Sequence, residues 1–156
     1  LLLWSSFLCA KYFCMRWRAC FIYIYGPSYS LIKTVKLTYE YGDSALNISP
    51  DGKNFYYTHG NKIFTVDIEG KEINTSRSSD FKGSIGITVD KRGLIYSCGK
   101  DSGNVNLMTP EGRELSVLLS SAHGLKSSVG ICLNDRNTTI VVLKNNSSEV
   151  KVFKLS

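Results

Sequence analysis

The sequence predicts an all-β fold, and three observations carry that expectation. From residue 31 onward the apolar residues come in short runs rich in Ile, Val, Tyr and Phe, with no sustained 3.6-residue apolar period. The runs are separated by turns of definite chemistry. Pro50-Asp51-Gly52 presets φ and then supplies a residue that tolerates positive φ, and Glu69-Gly70 and Glu111-Gly112 do the same at later hairpins. Finally, the chain repeats itself.

The repeat is visible at two markers. The turn-closing residues Gly52, Gly93 and Asn137 are spaced by 41 and 44 residues, each after an apolar residue and before a β-rich run. Glu69-Gly70-Lys71-Glu72-Ile73 lies over Glu111-Gly112-Arg113-Glu114-Leu115 at an offset of 42, and Val105 over Val150 at 45. A period of about 40–45 residues with four short strands per unit is the arithmetic of a β-propeller.

The elements follow in order. Residues 31–38 read as the outer strand, d, of an earlier unit. The first unit spans residues 45–77, the second 84–119, and the third 129–155 without its outer strand. In the second unit, strand a is expected at 85–89, b at 94–98, c at 105–109 and d at 113–119. The fold class is therefore all-β, a partial propeller of just under three four-stranded blades. A closed ring takes roughly four to eight. The expectation is a fragment of a longer propeller, with closure by self-association as the alternative.

Residues 1–30 are a different kind of sequence. They are dense in Leu, Trp, Phe, Tyr and Cys, hold no Asp or Glu, and carry three positive charges at Lys11, Arg16 and Arg18. The apolar run precedes the charges and no A-x-A-like site follows, which is the wrong order for a signal peptide. The charges also interrupt the run below the roughly 18 apolar residues of a membrane span. The segment is expected to be non-native coding sequence or a piece of another context, with membrane association of residues 1–25 as the less favoured reading. It is set apart from the propeller, which is assigned to residues 31–156.

Composition bounds the function. The 156 residues carry a formal net charge of +6, half of it in the first 30 residues, so the remainder is only mildly basic. That permits an anionic partner without requiring one. The five cysteines, Cys9, Cys14, Cys20, Cys98 and Cys132, form no CxxC pair and have no histidine among them, so no structural zinc site is expected. Cys98 and Cys132 fall in apolar runs and read as small buried thiols of a reducing compartment, in keeping with a cytoplasmic location.

The stretch from Gly86 to Leu115 and the chain's end resemble a known family. Residues 86–90 (GITVD), 95–99 (IYSCG) and 150–156 (VKVFKLS) resemble the NHL-repeat six-bladed propeller, as in the C-terminal region of invertebrate tripartite-motif (TRIM) proteins. The likeness covers residues 45–156. It departs at Ile48-Ser49-Pro50, where Val89-Asp90-Lys91 stands in the second unit, and at Asn134 in place of Asp90. The resemblance implies that the propeller selects the target of an E3 ubiquitin ligase. Ligase chemistry would then belong to RING and B-box domains that this chain does not contain, so the chain itself is expected to be no enzyme.

A search for chemistry gives candidates of one kind only. No G-x-S-x-G elbow or P-loop occurs. His59 and His123 sit in expected loops without nearby partners, and no catalytic, cofactor or metal residues are assigned. Asp90 could line a central metal site, but an Asp after strand a more often caps its own turn. Five N-x-[ST] sequences, at Asn47, Asn74, Asn137, Asn145 and Asn146, read as chance in a Ser/Thr-rich chain.

What remains is the loop face that the d–a and b–c connections share in a propeller. It carries Arg77, Lys82, Lys100, Lys126 and Lys144, with Phe81 and His59 as stacking surfaces and Asp80 and Asp101 between them. A protein target is the expected partner. RNA is the alternative, and no small-molecule substrate is evident. A propeller enzyme of lactonase or amidating-lyase type is disfavoured because the strands a offer mostly apolar residues and Gly, not converging carboxylates.

Overall fold

The structure, a computed structural model, describes residues 4–6, 11–15, 21–26, 28–37, 45–77, 82–112, 115–145 and 149–155. These form four antiparallel sheets, each a simple meander in chain order. The first holds β1 (Trp4–Ser6), β2 (Lys11–Met15), β3 (Phe21–Tyr25) and β4 (Leu31–Lys36). The second holds β5 (Leu46–Ile48), β6 (Asn54–His59), β7 (Lys62–Asp67) and β8 (Glu72–Arg77). The third holds β9 (Ser84–Val89), β10 (Ile95–Gly99), β11 (Val105–Met108) and β12 (Leu115–Leu119), and the fourth β13 (Ser128–Leu133), β14 (Thr139–Lys144) and β15 (Val150–Lys154).

The expected strands of the second repeat unit agree with β9 to β12 within two residues at each end. Residues 31–38 were expected as an outer strand, and β4 is the last strand of its sheet. The last sheet has three strands, as expected. The blade count differs. The described parts of residues 1–30 are strands of the same sheet as β4, so four sheets are present rather than just under three. The sequence hid this sheet because it lacks Pro-Asp-Gly and Glu-Gly turns and because its third strand, β3, is apolar at every position and so shows no alternation.

The sheets stack face to face because their central strands are buried on both faces, with apolar side chains predominating. Side chains alternate across a strand, so one strand can feed two interfaces. In β6, Phe55 and Tyr57 pack with Phe64 and Val66 against Ile22, Ile24, Val35 and Leu37 of the first sheet. Tyr56 points the other way and joins Ala45 and Ile63 against Ile87, Ile95 and Met108 of the third. Tyr96, Cys98 and Val105 then pack against Ile131, Ile140 and Val142 of the fourth. Each fully buried Phe or Ile is worth about 1.5–3 kcal/mol. The Tyr57 and Phe64 rings stack with centroids 4.8 Å apart.

Three equivalent turns join strands a and b, and each is held by the residue that precedes it. Asp90 accepts from the backbone N–H groups of Arg92 and Leu94, both at 2.9 Å. Asn134 accepts from those of Thr138 at 2.8 Å and Thr139 at 3.0 Å. The Ser49 hydroxyl accepts from Asn54 at 2.9 Å and donates to Asp51 at 2.6 Å. That hydroxyl is the main reason the Asp51 carboxyl lies below the usual carboxylate range. Thus three different side chains do one job, and the departures at Ser49 and Asn134 preserve the turn.

Candidate binding surface

The loops on the opposite rim are tied to one another by their main chains. The β6–β7 hairpin turns through Gly60 and Asn61, and the Gly60 carbonyl accepts from Ser84 N–H at 3.1 Å. The loop entering β9 then supplies the Gly83 carbonyl to Lys100 N–H at 2.8 Å and the Lys82 carbonyl to Asp101 N–H at 3.2 Å. The Lys100 carbonyl accepts from Ser127 N–H at 3.0 Å, and the Ser127 carbonyl from Asn145 N–H at 2.7 Å. A run of backbone bonds therefore crosses three sheets, linking each loop to the next.

This run places Lys82, Lys100, Lys126 and Lys144 on one rim. Lys82, Lys126 and Arg77 are exposed, whereas Lys100 and Lys144 are half-buried. Arg77 ends β8 directly opposite Lys62 on β7, and Lys62 extends over the Phe64 ring, its Nζ 5.7 Å from the centroid. Sequence reasoning did not select Lys62; its place opposite Arg77 follows only from strand register. Asp101 packs against Gly83 and sets a negative charge among the lysines. Lys144 is paired with Glu149, Nζ to Oε2 3.6 Å, so the far end of the row is partly neutralised. His59 is the last residue of β6 rather than a loop residue. Phe81 and Asp80 lie outside the described residues.

Leu125 was also missed. It is fully buried in the third interface, and its carbonyl accepts from the Ser128 hydroxyl at 2.6 Å. One apolar anchor in an otherwise polar loop holds the neighbouring Lys126 outward. The signal was present in the sequence as a lone Leu between Gly124 and Lys126.

The other candidates resolve individually. Asp90 is buried and turned into its own loop, where Arg92 also grips it through Nε at 3.0 Å and a terminal nitrogen at 2.8 Å. The Cys98 thiol is fully buried, and desolvation pushes it up to about 12. Cys132 is exposed, contrary to the expectation of a buried thiol, because it lies on the outward face of the last sheet. His123 sits in a 3-10 turn, where its ring meets Phe153 edge-on at 6.1 Å. The Asn47 and Asn74 amides donate to the Ile87 and Gly112 carbonyls respectively, so neither amide nitrogen stands free. Asn146 lies outside the described residues. Among the described residues no group of three His, Cys, Asp or Glu side chains could hold a metal ion, and no helix is long and apolar enough to cross a membrane.

Successive antiparallel sheets of three or four strands packed face to face, with their connections on two rims, define a propeller-type module. Comparison with known proteins supports that class. No family model and no curated protein matches the chain. Among solved structures, hydrazine synthase of Kuenenia stuttgartiensis is similar at a TM-score of 0.72 and 13% identity, over 93% of this chain and 43% of that one. Hsv2 of Kluyvelomyces marxianus is similar at 0.63 and 12% identity, over 98% of this chain and 48% of that one. Both are β-propeller proteins. The chain spans less than half the length of either.

Proposed function

We propose that this chain is a recognition module that binds a protein target through the tethered lysine rim, and that it carries no catalytic centre of its own. The supporting observation is the main-chain hydrogen-bond run from Gly60 to Asn145, which presents Lys82, Lys100 and Lys126 on linked backbones. Such a surface suits an acidic segment, because several cations on one rim attract and steer a negative chain. The side chains that could have served chemistry are otherwise engaged: Asp90 closes a turn and Cys98 is buried. On the resemblance to NHL-type TRIM proteins, the module selects substrates for a cytoplasmic ubiquitin ligase whose zinc domains lie elsewhere.

The test is fluorescence anisotropy of the 156-residue chain with acidic peptides and with single-stranded RNA across a salt series. Peptide binding is expected, and the Lys100→Glu, Lys126→Glu double variant should abolish it while leaving the urea midpoint unchanged. Preferential RNA binding with a steep salt slope would move the partner to nucleic acid. Binding unaffected by the double variant would overturn the site. Zinc-binding Cys/His modules in the upstream coding sequence are expected on the ligase reading, and their absence there would overturn it.

A further inference from the structure

The interface between the second and third sheets contains a buried polar seam. Ile95 and Met108 of the third sheet pack against Tyr56 and Ile63 of the second. Ser97 and Asn106 lie two residues along from them on β10 and β11, so they share that face. The two residues pair directly across the strands, and both are fully buried. Thr58, Thr65 and Ser84 are buried as well. Most of this seam pairs its own groups. The Thr58 hydroxyl accepts from Ala45 N–H at 2.9 Å and donates to the Ser84 carbonyl at 3.3 Å. The Ser97 hydroxyl donates to the Gly86 carbonyl at 2.7 Å. It has one proton, so the Ser84 hydroxyl, 3.0 Å away, donates to it and one lone pair of Ser97 Oγ is left over.

Asn106 is the exception. Its amide offers two N–H donors and an oxygen with two lone pairs, yet among the described residues neither atom has a hydrogen-bond partner. The Thr65 hydroxyl, on the facing sheet, likewise has none. A buried amide left dry costs more than an ordinary hydrogen bond contributes, so the group calls for a partner. The protein hydroxyls nearby do not supply it, since those of Thr58, Ser84 and Ser97 already donate elsewhere. The strand outside Asn106 is open to solvent. Asn106 pairs with Val117 and Val105 with Leu119, so the ladder skips Leu118. Val117 and Leu118 are 42% and 37% exposed. Asn106 thus lies one strand inward from solvent, beside a break in register. Buried waters bond in this way to polar groups that the chain leaves unpaired.

We propose that Asn106 holds an ordered water between the second and third sheets, and that this water bridges its amide to the remaining lone pair of Ser97 Oγ. The inference is independent of the lysine rim. The test is a crystal structure of the 156-residue chain at a resolution that shows ordered solvent. A water within hydrogen-bond distance of both the Asn106 amide and Ser97 Oγ is expected. An amide bonded directly to protein atoms would overturn the proposal, and so would an amide with no solvent density beside it. Urea titration of Asn106→Leu, a replacement of similar size, checks the same point in solution. The midpoint should fall, because the water loses the group that holds it. A midpoint equal to or above that of the unmodified chain would show that the amide was buried dry, and would overturn the site.

Discussion

Gly86 and Gly130 meet across the inner strands of the third and fourth sheets, so closely that a Cβ on Gly86 would stand 3.1 Å from the Gly130 Cα and 2.6 Å from the Cys98 sulfur. Both obstacles are fixed, one by backbone and the other by a fully buried side chain. Gly86→Ala is therefore expected to destabilise the chain by about 1–3 kcal/mol, the usual cost of overpacking. A urea midpoint equal to that of the unmodified chain would show that the sheets can separate at no cost.

Asp90 should separate the two roles of its carboxylate. Asp90→Ala leaves the Leu94 and Arg92 N–H groups without their acceptor and should cost about 2–3 kcal/mol. Asp90→Asn keeps an acceptor and loses mainly the ion pair to Arg92, whose side chain is 70% exposed. An ion pair to an exposed partner is screened by solvent and adds little, so Asn should recover most of the loss. The fourth sheet already uses Asn134 in this way. Equal losses for Ala and Asn in urea denaturation would contradict this division.

Cys98 makes stability depend on alkaline pH. The ordinary thiol value is 9.0, and burial raises it to about 12 in the folded chain. A raised acid favours the protonated, folded state, so its contribution is complete below pH 9 and is lost as pH rises from 9 toward 12. The loss should be about 1 kcal/mol per pH unit. Tyr56 and Tyr96 are raised by burial as well, so the measurement is the difference between the unmodified chain and Cys98→Ala in urea titrations at pH 8, 9 and 10 (about the lower part of this window). Parallel pH curves would remove Cys98 as the cause. Peptide mapping after brief alkylation at pH 8 should find Cys132 modified and Cys98 protected.

Leu125→Ala should act on stability and recognition together. Removing a fully buried Leu costs about 2–5 kcal/mol. It also frees the loop that presents Lys126, so peptide affinity should fall even in conditions where the chain remains folded. Unchanged affinity in the folded variant would place Lys126 outside the contact.

Much of the fold could be read from the sequence because its signals are local. Gly52, Gly93 and Asn137 mark turns by their own backbone preferences, and the spacing between them needs no knowledge of packing. All three have positive φ. The first sheet escaped because Phe21 to Tyr25 is apolar throughout, and such a run gives neither an alternation nor a turn to count. At the rim, the lysines could be listed from the repeat register alone. Their connection through the Lys100 carbonyl and Ser127 N–H could not, since main-chain bonds between loops leave no trace in residue type. Lys62 was missed for a related reason, because only the pairing of β7 with β8 brings it to Arg77.

The main-chain ties between the rim loops make shape and chemistry separable there. Since Gly60, Gly83, Lys100 and Ser127 enter those ties through main-chain N–H and carbonyl groups alone, most side chains along the row can be exchanged while the supporting backbone keeps its course. On the proposed recognition role, such a rim would change its partner by surface substitution alone, and side chains exchanged at positions 82, 100 and 126 would keep the backbone course of the originals.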